Sequence, residues 1–91
     1  MRERETMRED DAPTLALNAL VWILGDDSRA NRLLALTGLD GEDLRNRLGD
    51  PALLGAVLDF LAQHEPDLIA CAEALNVKPA ALIAARERMN G

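Results

Sequence analysis

The sequence predicts an all-α fold, a compact orthogonal bundle of five or six short helices containing two helix-turn-helix-like units, and three observations lead to it. First, Leu34 to Leu48 (LALTGLDGEDLRNRL) and Ala72 to Arg86 (AEALNVKPAALIAAR) share one pattern. Each has an apolar helix end, a residue suited to the left-handed region, an aliphatic residue, then a new helix. Gly38 aligns with Asn76, Leu39 with Val77 and Leu44 with Leu82. Second, leucine and alanine dominate the apolar fraction and Trp22 and Phe60 are the two aromatics, which favours helix over strand. Third, no segment alternates apolar and polar residues, the connections are short, and no strict heptad supports a rod.

The first helix is expected from Asp11, Pro13 or Thr14, because an Asp oxygen accepts orphan amides and proline is tolerated in a first turn. Leu15 to Leu24 is apolar at nearly every position except Asn18, a pattern of burial on more than one side, and Gly25 is expected to end it in the left-handed conformation. Asp26, Asp27 and Ser28 offer caps for a second helix that carries Leu33, Leu34 and Leu36, sets Arg29 and Arg32 on its wet side, and stops at Gly38. Asp40 and Asp43 form an approximate capping box for a short helix that presents Leu44 and Leu48 and ends at Gly49.

Asp50-Pro51 is the strongest helix start in the chain. The helix after it carries Leu53, Leu54, Val57, Leu58, Phe60 and Leu61 on a wide apolar face and is expected to organise the core, with Asp59, Gln63 and His64 outside. Pro66 breaks that helix and opens the next, which runs to about Leu75. Asn76 then takes the left-handed position, Val77 plugs the turn, and a last helix runs from Pro79 to about Met89.

Ninety-one residues suffice for one domain and one core. Residues 12–91 are expected to form it, after a flexible charged lead over residues 1–11 in which Met1 and Met7 both remain open as the start. The lead lacks the apolar centre of a secretory signal, and no apolar run approaches the roughly 20 residues that span a bilayer, so a cytoplasmic protein without membrane contact is expected. A lone Cys71 excludes an intramolecular disulfide and a multi-Cys zinc site.

The segment 68–88 meets the steric needs of a DNA-binding helix-turn-helix, with small Ala72 at the crossing and Val77, Leu82 and Ala85 facing inward. Base reading needs more: hydrogen-bonding side chains for base edges and cations for phosphates. Only Lys78, Arg86 and Arg88 offer phosphate contacts there, against a chain with ten Lys and Arg and sixteen Asp and Glu. Nucleic-acid binding is therefore the alternative rather than the preferred reading.

Chemistry has little to work with. His64 is the one imidazole, Cys71 is expected on the buried side of its helix, and the acids of 26–27 and 40–43 sit where helix N-termini want negative charge, without the oxygen spacing of a calcium loop. No enzyme activity, cofactor or metal is expected. What remains is surface: Trp22, with Val21 and Ile23, is the candidate anchor for a protein partner, either a heterologous protein or a second copy in a homodimer.

The succession Trp22-Ile23-Leu24, Arg32 to Leu39 (RLLALTGL), Asp43-Leu44-Arg45, Gly49-Asp50-Pro51 and Val57 to Leu61 (VLDFL) resembles a family of short alphaproteobacterial helical proteins catalogued as a domain of unknown function. The resemblance covers most of the chain beyond the lead. It implies a bacterial, cytoplasmic, helical protein and carries over no site residues.

Overall fold

Helices begin where the chain supplies an oxygen for their orphan amides. In the computed structural model, which describes residues 11–90, α1 (Ala12–Leu24) starts at Asp11, whose carboxylate accepts from the Thr14 amide at 3.3 Å and the Thr14 hydroxyl at 2.8 Å. The same device starts α2 (Asp27–Thr37), where Asp26 accepts from the Arg29 amide at 3.0 Å, and α3 (Gly41–Asn46), where Asp40 accepts from the Asp43 amide at 2.8 Å. In α4 (Pro51–Ala62) Asp50 accepts from the Ala52 amide at 2.9 Å and Pro51 needs no partner. His64 precedes α5 (Glu65–Leu75) without a side-chain cap, and α6 (Pro79–Asn90) opens on proline. These six helices, with no strand among the described residues, make an all-α bundle. The rest of the charged lead, and the choice between Met1 and Met7, lie outside the described residues.

The two aligned turns match in structure. Gly38 (φ 76°) and Asn76 (φ 61°) are the two positive-φ residues among those described. Leu33 and Cys71, five residues before each, are fully buried, and Leu44 and Leu82, six residues after, are in the core. From α5 to α6 the chain direction changes by 103°, within the range of helix-turn-helix units.

Two expected helix ends are corrected. Gly25 is right-handed (φ −75°), because Asp26 must cap α2 at once, and the Gly25 and Asp26 amides close the end by donating to the Trp22 and Ile23 carbonyls at 3.2 Å. Similarly, α3 stops at Asn46 rather than Gly49. The Asp50 amide donates to the Arg47 carbonyl at 2.9 Å, a tight turn that delivers Asp50 to the start of α4.

Packing centres on α1, α4 and α6, which lie against one another, with α5 across all three and α2 against α1 and α4. Leu53, Leu54, Val57, Leu58, Phe60 and Leu61 of α4 are all buried, as the apolar face predicts. They meet Leu15, Ala16, Ala19, Leu20 and Ile23 of α1 and Leu82 and Ala85 of α6 in one core. Gly55 lets α6 approach closely: a Cβ there would run into the Asn90 side chain, whose Nδ2 donates to the Gly55 carbonyl at 3.4 Å. By contrast α2 and α3 each contribute one buried residue, Leu33 and Leu44. No single described helix is long and apolar enough to cross a membrane.

Because Gly38 holds a conformation that costs an L side chain about 1 kcal/mol, Gly38→Ala is expected to lower the unfolding free energy by that much, read as a lower urea midpoint with an unchanged slope. An unaltered midpoint would remove the left-handed turn as a contributor to stability.

Candidate functional site

A buried carboxylate is the chain's most unusual feature. Asp67, in the first turn of α5, is 7% exposed and is the one charged residue in the buried set among the described residues. Its partners come from elsewhere in the fold: Arg29 Nε at 3.3 Å and Arg32 Nη2 at 2.9 Å, both from α2, and His64 Nδ1 at 2.9 Å from the preceding turn. An ionised carboxylate only accepts, so Nδ1 carries the proton of that bond. The expectation that Arg29 and Arg32 line a wet face is thus corrected for Arg29, which is partly buried, while Arg32 stays exposed and still reaches the carboxylate. Spaced i, i+3, they share a helix face, and it is turned toward α5. Arg29 also stacks over the Trp22 ring at 4.0 Å, and Arg32 stands 5.7 Å from the Phe60 ring centre.

Both aromatics, the single histidine and two arginines therefore gather on one acid. Burial by itself raises the Asp67 pKa, but hydrogen bonds from His64, Arg32 and Arg29 together outweigh it and hold the carboxyl below the usual carboxylate range. Sequence reasoning passed over Asp67 because an acid in a first turn already satisfies the helix dipole. The signal that pointed to it was the Arg29/Arg32 pair, two cations on one face with no acid among their local neighbours on α2 beyond Asp26 and Asp27.

This arrangement clamps α2 to α5. Cys71 is fully buried, and burial pushes its thiol up to about 11, so the thiolate that a Cys–His pair would use is scarce at neutral pH. Among the described residues no three His, Cys, Asp or Glu side chains group as a metal site would require. Asp26 and Asp40 serve as N-caps.

The structure divides the candidate anchor residues. Consecutive helical residues point about 100° apart, so Val21 is 62% exposed, Trp22 is half-buried beneath Arg29, and Ile23 lies fully in the core. Ile23 is thereby withdrawn from any interface. Instead, Val21 is flanked on the same face by Leu17 and Leu24, 37% and 39% exposed, at i, i+4, i+7 spacing. Leu24 also walls an apolar groove of about 250 Å³ with Leu34, Gly41, Leu44, Arg45 and Leu48. On another side, a more open groove of about 450 Å³ runs past Arg32, Leu36, Phe60 and His64.

The DNA-contact candidates are not brought together. Lys78 is exposed ahead of α6 and Arg88 is exposed roughly 15 Å along it. Arg86 donates to Asp59 of α4 at 2.8 Å. Since α6 also packs on α1, α4 and α5, it is a central bundle helix rather than a projecting one.

A depressed folded pKa means that the Asp67 clamp stabilises fully above the ordinary carboxylate range and is lost as pH falls through the folded value. Asp67→Asn is expected to cost about 1–3 kcal/mol at neutral pH, and the gap to the unaltered protein should close on acidification below about pH 4. A gap in unfolding free energy that stays constant from pH 7 to pH 3 would contradict this account.

Neither a curated protein nor a solved structure matches the chain significantly. A family model, however, matches residues 9–91, nearly the whole chain. The chain belongs to the family described as protein of unknown function DUF3572.

Proposed function

We propose that the protein is a non-enzymatic interaction module of the cytoplasm, a small adaptor or regulatory subunit, whose contact face is the outer stripe of α1 formed by Leu17, Val21 and Leu24 and continued by the groove beside Leu24. One observation carries this reading: α1 has no charged residue from Ala12 to Leu24, in a chain that is 29% charged, yet three of its large aliphatic side chains remain in solvent along one line. Single exposed leucines are ordinary, whereas a contiguous apolar stripe leading into an apolar groove has the form of a docking surface. Trp22 acts beside this face rather than at its centre, since Arg29 covers its ring.

The side chains that α6 leaves exposed, Pro79, Ala80, Ala84, Glu87, Arg88 and Asn90, give a DNA reading little to rest on, and the net charge of −6 opposes it.

Val21→Glu tests the face, because glutamate is at least as good a helix former as valine and the site is exposed. Stability should change by no more than about 0.5 kcal/mol, while proteins captured by the tagged chain in its native cells are lost. Retention of the same set by the variant would defeat the assignment.

A further inference from the structure

We infer that the α1 face is completed by a second copy of this chain, in an antiparallel two-fold pairing of α1 with α1. The inference rests on the reading of α1 as the contact face and adds what occupies it.

The stripe is close to symmetric about Val21, with Leu17 four residues before it and Leu24 three after. A two-fold axis near Val21 sets Leu17 of each copy against Leu24 of the other, over roughly two helical turns or 10 Å. Leu24 is where the apolar groove opens, and Leu34, Leu44 and Leu48 line it while Gly41 leaves its mouth free of a side chain. At about 250 Å³ the groove has room for a leucine side chain. One molecule thus carries a knob, Leu17, and a matching hole at opposite ends of one stripe. That is the condition for an isologous interface, in which residue i of one copy meets j of the other and j meets i.

Charge selects the same face for a second copy. With a net charge of −6 and a pI near 4.6, two copies repel wherever their acidic surfaces meet, and the charge-free α1 is where they can approach at least cost. Arg45, on the groove wall, forms no ion pair among the described residues. Antiparallel pairing carries the Asp11 end of the second copy's α1 toward it. The face of one short helix plus a groove is smaller than the roughly 800 Å² per partner of a standard stable interface, so the dimer should be weak and concentration-dependent.

Sedimentation equilibrium of the full chain between about 1 μM and 1 mM, the range of weak association, is the test. The apparent mass of the unaltered protein should rise toward twice the monomer, and Val21→Glu should hold it at the monomer throughout. Under oxidation, a mixture of Leu17→Cys and Leu24→Cys chains should give mixed disulfide dimers in large excess over either variant alone, while the buried Cys71 stays silent. An unaltered protein that remains monomeric at 1 mM, a dimer indifferent to Val21→Glu, or like-with-like disulfides in place of mixed ones overturns the pairing. A monomer whose captured proteins still vanish with Val21→Glu defeats the second copy and leaves the contact face standing. A monomer whose captures are unchanged defeats both.

Discussion

The Asp67 carboxylate is what joins the two halves of this bundle. α1, α4, α5 and α6 share a broad apolar core, but α2 and α3 bury only Leu33 and Leu44 in it, with Leu34, Leu39 and Leu48 partly buried against its edge. Two buried leucines offer about 3–6 kcal/mol of burial free energy before any ordering cost, little for seventeen helical residues that must also lose backbone freedom. A further attachment is polar, with Arg29 and Arg32 reaching from α2 to Asp67 on α5 while the same guanidiniums lie over Trp22 and Phe60. The clamp therefore reaches the proposed contact face as well. The groove beside Leu24 has Leu34, Leu44 and Leu48 for walls, and those residues stand next to α1 only while α2 and α3 are held there.

The repeated turn shows how one local device serves unequal purposes. Gly38 and Asn76 hold the same left-handed conformation, and each is followed by a half-buried aliphatic residue and then by a buried leucine. After Asn76 the second helix runs twelve residues through the centre of the bundle, whereas after Gly38 it runs six and stays on the surface. The difference follows from composition. Residues 79–85 are proline, alanine, leucine and isoleucine throughout, while residues 42–47 hold Leu44 as their one apolar side chain. Turn geometry therefore speaks to fold here: the second helix after Asn76 exposes few hydrogen-bonding side chains for base edges, and the one after Gly38 is six residues long with Glu42 and Asp43 at the end that would meet DNA.

What could be read in the sequence was what neighbouring residues decide among themselves. Asp11, Asp26, Asp40 and Asp50 cap helices because a carboxylate reaches amides two or three residues ahead. Gly38 and Asn76 were legible for the same reason, and so was the α4 face, whose period is intrinsic to the helix. Gly25 and Gly49 misled because each lies within two residues of the next cap, where the following element dictates the backbone. Arg29, Arg32 and Asp67 were hidden because their pairing spans more than thirty residues. The site was legible to one helix, and no further. Sequence pointed to α1 around Trp22, but which of Val21, Trp22 and Ile23 faces water depends on where α4 and α6 pack.

That dependence also bears on why the outer stripe of α1 is apolar at all. A helix pressed from two sides needs aliphatic residues where it is pressed, and Leu15, Leu20 and Ile23 meet that need. Val21 does not: at 62% exposure its side chain contributes little to the core, and a lysine or glutamate there would satisfy the helix as well and add solubility. On α3 the chain follows that rule, placing Glu42, Asp43, Arg45 and Arg47 on the outside of that helix and the turn after it. Leu36 and Ile69 are exposed singly on other helices, whereas Leu17, Val21 and Leu24 make a line on one helix that is therefore not a requirement of folding. Its physical rationale lies in what comes to cover it.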